Sequence, residues 1–112
     1  MSSKELLKGT LTVIILKLLS ERDRMYGYEI FQQVKQQSNG AILLKDGSLY
    51  PALQKLAKEG LVSFEEESVN GRVRKYYAIT KKGLKEKTAH MAAFKAFVES
   101  VNRIVFPELN TI

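Results

Sequence analysis

The dipeptide Asn70-Gly71 does most to narrow what this 112-residue chain can fold into. It closes the connector Ser68-Val69-Asn70-Gly71 between two runs of strand character, Leu61 to Glu67 and Arg72 to Thr80. Asn and Gly both accept the positive φ that a tight hairpin turn requires, so the pair predicts a β-hairpin. Directly before the hairpin, Asp46 to Gly60 reads as an amphipathic helix with its own start and stop. Asp46 or Ser48 is expected to cap it by accepting a backbone N–H, Pro51 to fall near the end of its first turn, and Gly60 to end it. At about 100° per residue, Leu49, Ala52, Leu53, Leu56 and Ala57 share one side. Pro51, Gln54, Lys55 and Lys58 lie opposite, flanked by Ser48 and Tyr50.

The flanking segments extend the pattern. Leu6, Leu7, Leu11, Ile14, Ile15, Leu18 and Leu19 recur at helical spacings and predict a helix over residues 4 to 20, weakened near its start by Gly9 and Thr10. Val13 and Leu16 add apolar surface on other sides, so more than one face needs cover, and a second subunit is one source of it. Ser20 to Met25 is charged and reads as a connector. Tyr26 to Ser38 predicts a second helix, with Ile30, Phe31 and Val34 inward and Ser38-Asn39-Gly40 as its stop. Ala41 to Leu44 is expected to be a brief extended segment. A last helix opens at Lys81 or Lys82 and runs to about Val105, ahead of Pro107. Leu84, Met91, Val98 and Val105 repeat every seven residues along it, and Phe94, Phe97, Val101 and Ile104 widen the stripe. This heptad-like seam has little left within one chain to pack on, and predicts pairing with a second copy.

Helix, helix, short strand, helix, hairpin, helix is the order of a winged helix-turn-helix, a mainly α fold with a small β-hairpin (α+β). The helix at 48–59 becomes the recognition helix and the hairpin becomes the wing. Residues 1–80 are expected to form the DNA-binding unit, including the N-terminal helix, and residues 81–112 the C-terminal dimerisation helix, all in one compact body.

The charge distribution agrees with a polyanionic partner. Formal net charge is +6. Arg72, Arg74 and Lys75 follow the turn at once, and Lys81, Lys82, Lys85 and Lys87 come after, with Glu86 the one acid between residues 72 and 87. Cations at a hairpin tip reach phosphates or the minor groove. On the helix, Lys55 and Lys58 suit phosphates, while Ser48, Tyr50 and Gln54 suit phosphates or base edges. Tyr50 also lies at the edge of the buried face, where packing is an equal reading. Glu65-Glu66-Glu67 on the partner strand competes for the same cations.

Three segments together resemble the PadR-type transcriptional regulators: Tyr26-Gly27-Tyr28-Glu29-Ile30, Gly47-Ser48-Leu49-Tyr50-Pro51-Ala52-Leu53-Gln54-Lys55-Leu56, and Gly71-Arg72-Val73-Arg74-Lys75-Tyr76-Tyr77-Ala78-Ile79-Thr80. The resemblance implies a homodimeric winged-helix repressor, and such a dimer is expected to place two recognition helices on a palindromic double-stranded operator. It is similar to the short subfamily, which uses both terminal helices for dimerisation. On that basis Leu7, Leu11, Leu84, Met91, Phe94, Phe97, Val98, Val101, Ile104 and Val105 are expected at the dimer interface. Some short members stack flat aromatic molecules on tryptophans of the last helix at the dimer centre. This sequence has no Trp. Phe94 and Phe97 are the residues placed to line an effector pocket there, and as dimer-core side chains they have a plainer reading.

Several function classes drop out. There is no cysteine and a single histidine, His90, so neither a thiol nucleophile nor a metal or cofactor site is expected. No phosphate-cradling Gly loop or paired acid constellation stands out, and no enzyme is expected. The longest apolar run, Leu11 to Leu19, is too short to span a bilayer, and charged residues follow it where a signal peptide would be cut, so a cytoplasmic location without membrane contact is expected. The competing class is a winged-helix module that contacts protein instead of DNA.

Overall fold

The computed structural model of the chain describes residues 9–110. Helix α1 spans Leu11–Ser20 and is followed by a two-residue strand, β1, at Met25–Tyr26. Helix α2 (Gly27–Gln37) and helix α3 (Asp46–Lys58) come next, then strands β2 (Val62–Val69) and β3 (Arg72–Ile79). Helix α4 (Lys81–Val105) and a short 3₁₀ turn (Pro107–Asn110) complete the described chain. The sheet is antiparallel in the order β1-β3-β2. The architecture is a winged helix of the α+β class, with a long helix after the wing.

Local chemistry sets most element ends. At the turn Asn70 and Gly71 both have positive φ, 51° and 77°, the pattern of a two-residue type I′ hairpin. The ladder therefore runs unbroken from Val62↔Ile79 to Val69↔Arg72. Helix α3 ends in a Schellman arrangement, in which the Leu61 N–H donates to the Leu56 carbonyl and the Gly60 N–H to that of Ala57. Helix α2 ends alike, with Asn39 in the left-handed region and the Gly40 N–H donating to Lys35. Helix α4 starts on Thr80, whose hydroxyl oxygen accepts the Gly83 N–H at 3.0 Å. The same hydroxyl donates to the Gly60 carbonyl at 2.6 Å, tying the start of α4 to the end of α3.

The core lies where α1, α2, α3 and the base of the sheet meet. Ile15, Leu16, Leu19, Met25, Ile30, Leu53 and Leu56 are fully enclosed. Helix α1 packs against each of the other helices and β3. Much of the apolar surplus expected to need a second subunit is thus covered within one chain.

Four expectations change. The short strand precedes α2 instead of following it: Met25 and Tyr26 pair with Tyr77 and Tyr76 on the free edge of β3, whereas 41–44 has no strand partner and only contributes Leu44 and Ile42 to the core. Neither Asp46 nor Ser48 caps α3, because the helical backbone already begins at Asp46 and the cap position is Lys45, which makes no side-chain cap bond. Pro51 consequently sits in the second turn, where its missing N–H withholds a bond from the Gly47 carbonyl. Gly47 is exposed, so its carbonyl is open to solvent. Leu11, expected to face a partner, is 8% exposed in the protomer's own core. The expected helical residues 4 to 8, Leu7 included, lie outside the described residues. Within them the helix begins after Gly9, which has φ +91°.

Gly83 lets α4 lie against the wing base. A Cβ there would overlap the Leu61 carbonyl oxygen and come 2.7 Å from Cγ1 of Ile79. Because backbone cannot swing aside, Gly83→Ala should destabilise the fold by about 1–3 kcal/mol despite its better helix propensity. Urea unfolding checks this, with Leu53→Ala as a reference for core loss, expected at about 2–5 kcal/mol.

Candidate nucleic-acid interface

Two elements form the surface that carries the expected DNA-contacting residues. Helix α3 buries Leu49, Leu53 and Leu56 and leaves Pro51, Gln54, Lys55 and Lys58 exposed, with Ser48 half-buried beside them. The wing presents Arg72 and Lys75 in solvent and Arg74 half-buried. The elements meet at a cleft of about 360 Å³ lined by Tyr26, Gly27, Tyr50, Glu66, Val73, Arg74 and Lys75. The recognition helix and the wing therefore open onto one surface. Of the expected contact residues the cleft gathers Tyr50, Arg74 and Lys75, while the rest of the helical set lies on the outer face of α3.

Tyr50 is packed on one side and open on the other. It is 40% exposed, and its ring also fits against the bare backbone of Gly27 at the start of α2. A Cβ on Gly27 would lie 2.5 Å from the Tyr50 hydroxyl oxygen and 2.9 Å from Cζ. Gly27 is the slot that lets the recognition helix seat its aromatic residue beside the wing.

The wing acids do not neutralise the wing cations. Glu67 Oε1 lies 2.7 Å from Nη1 of Arg24, and Glu65 Oε2 lies 4.0 Å from the same nitrogen. Arg24 holds the Glu67 carboxyl below its ordinary pKa, chiefly by hydrogen bonding, and is itself raised in return. Among the described residues no carboxylate lies within ion-pair distance of Arg72, Arg74 or Lys75. Arg74 instead stacks on Tyr26, 4.5 Å from guanidinium carbon to ring centre, and Lys75 sits 4.6 Å above the Phe64 ring. Stacking of this kind orients a cation without cancelling its charge.

Sequence reasoning missed Arg24, Tyr26 and Gly27 as parts of this surface. Arg24 stood in a charged connector with nothing to mark it, and only the pairing of β1 with β3 brings it over the sheet.

The exposed seam on α4 is the second feature. Leu84, Phe97, Val98, Val101, Ile104 and Val105 are all exposed, Ile104 at 79%. Met91 and Phe94 are half-buried and face α1 across a groove of about 440 Å³ lined also by Val13, Ile14, Lys17, Ala92 and Lys95. Phe97 does not line this groove. Among the described residues no helix is long and apolar enough to cross a membrane.

The model of the PadR-like family of transcriptional regulators matches residues 15–89, from α1 through the wing into α4. The chain belongs to this family. Among the described residues one long helix follows the wing, which is consistent with the short subfamily. The chain is 32% identical over 75 residues to the transcriptional regulator YqjI of Escherichia coli, a match covering 67% of this chain and 34% of that protein. A transcriptional regulator from Clostridium thermocellum has the same fold, with a TM-score of 0.82 and 28% identity, covering 90% of this chain and 98% of that one. A PadR-like regulator from Bacillus cereus superposes with a TM-score of 0.72 at 30% identity, covering 91% and 97%. Membership makes this a transcriptional regulator, with the DNA binding that implies, and not an enzyme.

The Tyr50–Gly27 contact yields a test. Gly27→Ala should push the Tyr50 ring out and lower stability by about 1 kcal/mol, within the usual cost of overpacking. The effect should be non-additive: with Tyr50→Ala in place, adding Gly27→Ala should cost nothing further. Thermal unfolding of the singles and the double closes the cycle.

Proposed function

We propose that this regulator is a homodimeric repressor in the cytoplasm that grips a palindromic double-stranded operator with two copies of the α3–wing surface. The observation that carries the proposal is the shared cleft: Tyr50 of the recognition helix and Val73–Lys75 of the wing line one opening. One approach of a duplex then meets both elements. Ser48, Tyr50, Pro51 and Gln54 face the major groove from α3, and Lys55 and Lys58 meet phosphates. Arg72, Arg74 and Lys75 bring the wing to the backbone or the minor groove. Two such heads on a two-fold axis read the two half-sites of a palindrome, and occupation of the promoter blocks transcription.

The dimer forms through α4. Six large apolar side chains exposed along one 25-residue helix need cover that the described residues do not give them. A second α4 matches the heptad-like spacing. Release of DNA follows when a small hydrophobic or aromatic effector enters the groove between α1 and α4, with Phe94 on its wall, and alters the spacing of the heads. Phe97, outside that groove, serves the dimer contact.

The reading is tested by measuring affinity for duplex DNA against salt. Log K should fall steeply with log salt, and Arg74→Ala should reduce the slope by about one. A flat response would leave the protein-contact module as the better account. Ile104→Asp, with its carboxylate in the seam, should shift the sedimenting species from dimer to monomer and weaken operator binding. An unchanged dimer would remove α4 as the interface. Calorimetry with planar hydrophobic cations should show saturable binding that lowers DNA affinity, and no binding across a varied panel would remove the effector.

A further inference from the structure

The solvent-facing side of the sheet carries an ordered set of charges that the DNA reading alone does not use. Alternation along the strands places Glu65 and Glu67 of β2, Arg74 and Tyr76 of β3, and Tyr26 of β1 on one face. In the ladder Glu67 stands opposite Arg74. Residues directly opposite have their Cβ atoms about 4.5–5.5 Å apart, close enough for an ion pair. Yet that pair is not made. Glu67 turns to Arg24, at 2.7 Å, and Arg74 turns the other way, onto Tyr26. Arg24 crosses over the Tyr76 ring at 4.1 Å to reach the acids, and Tyr76 meets Tyr26 edge-on at 5.4 Å. Arg24 thus stacks on Tyr76, Arg74 stacks on Tyr26 and bonds the Tyr76 side chain, and the two wing acids belong to Arg24.

We propose that Arg24 is a positioning residue for DNA binding: by holding Glu67 and Glu65 it keeps Arg74 free of its cross-strand acid and aimed at DNA. The inference rests on the reading of the wing as a phosphate grip. An ion pair with both side chains this exposed adds little to the stability of a fold, so stability is a poor explanation of the arrangement. Its effect is on which cation stays unpaired. Without Arg24 the cation directly opposite Glu67 in the ladder is Arg74, and an arginine already paired with a carboxylate contributes less to phosphate binding and to counterion release.

The test uses the full chain and a short random-sequence duplex, since the phosphate grip is independent of sequence. Arg24→Ala should lower affinity on the order of tenfold, the size of one charge-assisted contact, and reduce the salt slope by about one. Its unfolding midpoint should stay close to that of the parent. Adding Glu67→Gln to Arg24→Ala should restore both affinity and slope, because the competing charge is gone. In an Arg74→Ala background, Arg24→Ala should change neither. The proposal is overturned if Arg24→Ala binds like the parent. It is also overturned if the double with Glu67→Gln stays weak, or if the losses from Arg24→Ala and Arg74→Ala add, since either result makes Arg24 a phosphate contact in its own right. A flat salt response of the unmodified protein would defeat the DNA reading itself, and is seen before any variant is made.

Discussion

Strand β3 is paired on both sides at Tyr76 and Tyr77, with β1 on one edge and β2 on the other, and on the β2 side alone from Lys75 to Arg72. The change from two partners to one marks where the body ends and the wing begins. Tyr77 is enclosed at that junction, set between Met25 across the ladder and the Phe64 ring at 5.9 Å. Beyond it the hairpin projects with one free edge. The wing's position relative to the recognition helix therefore depends on a two-residue strand. If β1 did not pair, neither Tyr26 nor Gly27 would stand at the cleft, and Arg24 would not reach the wing acids.

The two halves of the proposed reading surface are held by contacts of different kinds. Backbone bonds and the Thr80 hydroxyl, which accepts from Gly83 and donates to Gly60, join the foot of the wing to the end of α3 and the start of α4. Rings and cations set its outer part: Arg74 on Tyr26, Lys75 on Phe64, and the Tyr50 ring against Gly27. These exposed contacts are individually weak. That suits a surface that must keep its charges available while limiting the rotamers they sample.

The long helix raises a separate balance. Helix α1 is largely satisfied within the chain, with Ile15, Leu16, Leu18 and Leu19 buried, whereas α4 buries only Gly83 of its own residues. Among the described residues the exposed apolar surface is thus concentrated on α4. Expectation from periodicity alone spread it over both, since periodicity shows which faces are apolar and not how many neighbours cover them.

What the sequence determined by itself is local. The hairpin follows from two adjacent residues that accept positive φ, the helix ends from Gly60 and Asn39, and the buried face of α3 from the spacing of Leu49, Leu53 and Leu56. Each is encoded within a few residues, and the three signature segments mark the family for the same reason. The tertiary structure decided the rest. A two-residue strand has no periodicity to read, so Met25–Tyr26 became β1 only because β3 offered an open edge there. The backbone of α3 turns helical at Asp46, which puts its cap at Lys45, and Leu11 went into the core because packing, not periodicity, chose the covered faces. Which acid pairs with which arginine on the wing was likewise undecidable in one dimension. Charge runs give the number of ions, and only the fold brings Arg24 across the sheet to take Glu67 from Arg74.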